Sequence, residues 1–229
     1  MEPQKSYMGI GIGAVVIGLL VGIVGTSAYK SHEEDKTMAE ATPAPTAAPS
    51  TATKSADLRV LLSGLEKEHV SLASQATRNG FDGSGDFAAS AAQLDANSVQ
   101  LADTVGSVYG QAARDKFLEI WRSHITFFVN YTVAAQKGDK VGMDKAVKDL
   151  GGYIDAISDF FSGANPNLPR EAVKQLITEH VTLLKAAVDT YGAKDFAGSY
   201  AKEHAAYEQI GTIADAISGA IVKQYPAKF

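Results

Sequence analysis

His69-Val70-Ser71-Leu72, His124-Ile125-Thr126-Phe127 and His180-Val181-Thr182-Leu183 are three copies of one short pattern, set 55 and 56 residues apart. Two further markers keep step with it. An acidic residue opens a helical run at Asp86, Asp139 and Asp195, and a closing triplet recurs as Leu101-Ala102-Asp103, Tyr153-Ile154-Asp155 and Ile213-Ala214-Asp215. A fixed period of this kind is one supersecondary unit copied in tandem. Around the first histidine, Leu58, Leu61, Leu62, Leu65, His69, Leu72 and Ala76 follow the i, i+3, i+4, i+7 spacing of an amphipathic helix. Asn79-Gly80 is expected to end that helix, and Asp82 to Asp86 to form a turn and a new N-cap.

The same grammar divides the rest of the chain. Helices are expected over about 86–109, 111–136, 139–162, 170–191 and 195–224, with Gly110, Lys137-Gly138-Asp139 and Gly163 to Pro169 as breaks. The domain over 57–229 is therefore read as all-α: a six-helix bundle of three repeated antiparallel helical hairpins, over about 57–110, 111–165 and 166–224. The middle hairpin carries Trp121, Phe127, Phe128, Tyr131, Phe160 and Phe161. Large aromatics dominate cores, so this hairpin is expected to lie sandwiched between the other two.

Ahead of the domain the composition changes. After a seven-residue leader, Met8–Tyr29 is a run of 22 residues without a charge. Such a run reaches roughly 30 Å as a helix, enough to cross a bilayer, and exceeds the apolar core of about 7–15 residues in a cleaved signal peptide. It reads as a retained single transmembrane helix, although Thr26-Ser27-Ala28 also resembles a cleavage site. Gly9 and Gly13, then Gly18 and Gly22, form GxxxG pairs through which two anchors can dimerise. Residues 30–56 are rich in Ala, Thr and Pro, a composition that stays extended; the stretch 37–55 reaches roughly 60 Å. The expected placement is a single-pass protein of the cell membrane with its C-terminal domain outside the cytoplasm.

Composition closes several routes. With no cysteine, thiolate metal sites and thiol catalysis are absent. Net charge is −5 with scattered basic residues, which argues against a nucleic-acid partner. No Gly-rich phosphate loop, GxSxG or HExxH occurs, so no catalytic residue is assigned and an enzyme is not the leading expectation.

The histidines are the candidate chemistry. His69 lies ten residues before Asn79, and Asp95 nine after Asp86, so antiparallel arms bring the two to similar height. The same count pairs His124 with Asp149, and His180 with His204. Buried His–Asp pairs that fix register are the expected role of His69–Asp95 and His124–Asp149, with metal ligation as their other reading. His180 and His204, with Glu208 one turn on, are the better candidate for a divalent ion such as copper or zinc. Glu66-x-x-His69 has the spacing of a di-iron helix, but the other repeats lack a glutamate three residues before their histidines.

Leu94-Asp-Ala-Asn-Ser98, Ser107-Val-Tyr-Gly110, Trp121-Arg-Ser-His-Ile125, Ala164-Asn-Pro-Asn-Leu-Pro169 and Val222-Lys-Gln-Tyr-Pro226 resemble a family of secreted bacterial helical-repeat proteins, sometimes labelled copper-amine-oxidase-related. The resemblance spans roughly 57–229 and implies a secreted helical domain and copper as the metal. The strand-rich pattern of an amine oxidase fold is not seen in the sequence. The functional expectation is a membrane-anchored extracytoplasmic binding or sensing domain. Its alternatives are a metal-free structural or interaction module facing another protein or cell-wall polymer, and a metalloenzyme.

Overall fold

Six helices follow one another with little between them: α1 (Lys54–Asp82), α2 (Phe87–Tyr109), α3 (Gln111–Lys137), α4 (Lys140–Ala164), α5 (Arg170–Gly192) and α6 (Phe196–Gln224). The computed structural model describes residues 50–229, and no strand occurs among them. The leader, the expected anchor with its dimer contact, and most of the linker lie outside the described residues. No helix among the described residues is long and apolar enough to cross a membrane.

Local chemistry sets the helix ends. The Thr53 hydroxyl accepts from Ala56 N at 3.1 Å, Asp139 from Gly142 N at 3.0 Å and Asp195 from Gly198 N at 2.9 Å. All three hairpin turns use one left-handed residue, at Gly83 (φ 65°), Gly138 (φ 67°) and Lys194 (φ 63°). In each, the amide after that residue reaches back to the helix: Ser84 N to Asn79 O, Asp139 N to Ala134 O, and Asp195 N to Thr190 O, at 2.8, 2.9 and 2.9 Å. The first helix thus runs past Asn79-Gly80 to Asp82. Gly80 stays helical and packs on Phe87, whose ring would lie 3.0 Å from a Cβ placed there.

The three hairpins do not stack as a sandwich. Each helix packs on the next in sequence, and α6 packs on α1, so hairpins one and three meet directly and the bundle closes into a ring. Within the ring α1, α3 and α5 also touch one another. The sandwich expectation weighed aromatic content alone. The middle hairpin does bury Phe117, Trp121, Phe128, Tyr131, Tyr153 and Phe161, but α1 and α6 contribute an aliphatic seam of Leu58, Leu62, Ile210, Ile213 and Ile217 that seals the other side.

A polar clasp holds the open end of the hairpins. Tyr109 Oη donates to Gln224 Oε1 at 3.0 Å, Asn165 Nδ2 donates to Tyr109 Oη at 3.0 Å, and Gln224 Nε2 donates to Ala164 O at 3.0 Å. Asn165 is fully buried. Three of the sequence runs singled out above, ending at Gly110, Pro169 and Pro226, meet here.

Candidate functional site

Each of the three repeated histidines sits on a seam of buried positions spaced by threes and fours. The seams are Leu58, Leu62, Glu66 and His69 on α1; Phe117, Trp121, His124, Phe128 and Tyr131 on α3; and Val173, Ile177, His180, Leu184 and Val188 on α5. This spacing keeps one face of a helix turned toward its neighbours. Because α1, α3 and α5 form the inside of the ring, the three imidazoles converge in the middle of the bundle. They are only 1%, 3% and 5% exposed.

Nε2 of His69 lies 3.4 Å from Nε2 of His124, with ring centroids 5.4 Å apart. The His180 ring centroid is 6.4 Å from that of His69. Trp121 packs against His69 at 5.0 Å and edge-on to His124 at 4.7 Å, while Tyr153 stacks on His124 at 4.5 Å. Nδ1 of His69, Nδ1 of His124 and both ring nitrogens of His180 make no hydrogen bond of good geometry, although the Trp121 backbone lies close enough to His124, and the Gln209 side chain to His180, to favour the protonated ring weakly. Burial drives all three imidazoles to the neutral form. It pushes His124 down to about 3 and His180 to about 4, and it holds His69 well below the ordinary range, with the neighbouring histidines adding to the effect at His69 and His124. At neutral pH the centre therefore presents uncharged imidazoles, each with one N–H donor and one lone pair.

Glu66, one turn before His69, is 3% exposed, and its Oε2 has no partner. Burial pushes its carboxyl up to about 8, so at pH 7 it is mostly the neutral acid. Burial, then proximity to Glu66, raises the Tyr153 phenol well above its ordinary range.

The arms facing the histidines are not those expected from height. Asp95 is exposed and accepts from Arg122 Nε and Nη2, at 2.7 and 2.8 Å. Asp149 binds Lys145 at 2.6 Å. His180 is in the core while His204 and Glu208 are exposed on α6, so the expected pairs His69–Asp95, His124–Asp149 and His180–His204 do not form. Counting from a turn sets height along a helix but not direction around it. Asp95 stands next to buried Leu94 yet faces outward; Asn97, two residues on, faces in.

Asn97 and Gln209 are the residues that the height argument missed. Asn97 Nδ2 donates to Leu65 O at 3.0 Å, and Gln209 Nε2 donates to Leu176 O at 2.9 Å. Both carbonyls lie four residues before a repeated histidine. The signal was present in the sequence: Leu94, Asn97, Leu101 and Val105 share one face of α2, as Ala206, Ile210, Ile213 and Ile217 do of α6, with Gln209 beside them. In hairpin two Tyr153 stacking on His124 takes this place.

Above the histidine pair an apolar cleft opens between α1, α2, α3 and α5, with a cavity of about 70 Å³. His69 and His124 line its inner end; Phe87, Phe128 and Leu184 form walls; partly exposed Phe81 and Tyr191 lie at the outer end. By size it holds several waters or a few carbon atoms. Among the described residues no group of three or more His, Asp or Glu is already arranged to hold a metal ion. Comparison with known proteins finds no matching family, no matching curated protein and no matching solved structure.

Proposed function

We propose that this chain is a membrane-anchored binding or sensing domain working outside the cytoplasm. Its ligand enters the cleft between α1, α2, α3 and α5 and meets the His69–His124 pair. One observation carries the reading. Three repeats of a helical hairpin each spend a buried position on a histidine, and two of those imidazoles floor an otherwise apolar cleft with nitrogens that make no hydrogen bond of good geometry. Purely structural histidines would be expected to find carboxylate or carbonyl partners, since an orphaned buried polar group costs about 1–3 kcal/mol. Apolar walls with a few convergent polar groups are the usual make-up of a small-molecule site. The ligand class that fits is a molecule of a few heavy atoms, or the end of a longer chain, with one hydrogen-bonding or metal-bridging atom.

The test is ligand-induced stabilisation of metal-free protein. Small probes of a few heavy atoms such as ethanol, propanol and butanol should raise the thermal midpoint, as any ligand of the folded state does. Ala91→Phe, which fills the cleft from α2, should abolish the shift. A folded wild-type chain that no probe of this size stabilises would refute the reading.

A further inference from the structure

We propose that His69, His124 and His180 together bind one borderline divalent transition-metal ion at the centre of the bundle, with its remaining coordination position facing the cleft. The inference deepens the binding role proposed above and uses the same cleft as the route of entry. Its first support is a distance. Two imidazole nitrogens on one tetrahedral ion, each about 2.0–2.1 Å from the metal, stand about 3.4 Å apart. The His69 and His124 Nε2 atoms are separated by 3.4 Å. A direct N–H···N bond is normally shorter than this.

The second support is what the nitrogens lack. His180 has both ring nitrogens buried with no hydrogen bond of good geometry, and the Gln209 side chain lies close to it. Ring centres on one tetrahedral ion lie about 5 Å apart, so at 6.4 Å from His69 the His180 ring is roughly 1 Å too distant and must swing inward to close the set. That is why the pair is preformed and the trio is not. The third support is chemical. Imidazole nitrogen is a ligand that zinc, copper and cobalt share, and a chain without cysteine has no thiolate to compete with it. The outer nitrogens of ligating histidines normally find partners. Here that role is incompletely filled, while Trp121 and Tyr153 fix the orientation of the rings by packing. Glu208 and His204 play no part in this site.

Cobalt(II) serves as the probe because tetrahedral imidazole coordination gives visible absorption bands. Full-length chain stripped with a chelator and titrated with Co²⁺ should take up one ion with such bands, and Zn²⁺ should displace it. His69→Gln and His124→Gln should remove the bands. His180→Gln should weaken binding at least tenfold, and His204→Gln should leave it unchanged. Circular dichroism on each metal-free variant checks folding, and one measurement needs no variant: excess Zn²⁺, but not Mg²⁺, should raise the wild-type thermal midpoint. The proposal is overturned if folded wild type binds no ion, or if His204→Gln abolishes binding as His69→Gln does. It is equally overturned if Zn²⁺ leaves the midpoint unmoved. Since the alkanol test uses metal-free protein, either reading can fail while the other stands.

Discussion

Replacing Glu66 by Gln should make the protein more stable, and increasingly so as pH rises. The buried carboxyl titrates at about 8 rather than its ordinary 4.5. Between those values the folded chain holds a proton that the unfolded chain has released, so wild-type stability falls as pH rises through this window. Below pH 4.5 both states are protonated and there is no penalty. Above it the loss accumulates at about 1.4 kcal/mol per pH unit, reaching on the order of 3 kcal/mol at pH 7 and 5 kcal/mol by pH 8. Glutamine has nearly the same shape and no charge to bury. The histidines act in the opposite sense: their depressed values confer stability that is present above their unfolded value of about 6.5 and lost as pH falls toward 4 and 3. They are common to both proteins, so their contribution cancels in the difference. Urea unfolding of metal-free wild type and Glu66→Gln at pH 5, 6, 7 and 8, followed by circular dichroism, gives that difference directly. A gap that stays flat from pH 5 to 8 would mean the carboxyl ionises normally, and the dry setting assigned to it would be wrong.

Lys194→Gly should stabilise the chain by about 1 kcal/mol in chemical denaturation, because lysine occupies the left-handed turn position that glycine fills at 83 and 138. Asp95→Ala should change stability by less than about 1 kcal/mol, since its pair with Arg122 is half-exposed on both sides; a large loss would restore a core role for Asp95. Asn97→Ala should cost about 1–3 kcal/mol by removing a buried donor from Leu65 O. Protease added to intact cells should release the helical domain by cutting the Pro-rich linker, whereas protection until lysis would invert the proposed topology.

The sequence by itself determined which segments are helices and, to within about one helical turn at Asn79-Gly80, where the chain turns. Those depend on local chemistry: Asp139 and Asp195 as caps, Gly110 and Gly138 where φ is positive, Pro169 at a helix entry, and apolar residues every three or four positions. The repeat of His69, His124 and His180 was visible as well, because equivalent positions in copied units recur in the chain. How the hairpins join was decided only in three dimensions. Closure of the ring depends on α6 meeting α1 across the whole domain, a pairing that no local pattern encodes. That closure turns three separate histidines into one centre, where reading each hairpin alone paired them with Asp95, Asp149 and His204. Residue count carries distance along a helix axis, at 1.5 Å per residue. The direction a side chain faces matters only relative to a neighbouring helix, and which helix is the neighbour is a property of the packed molecule.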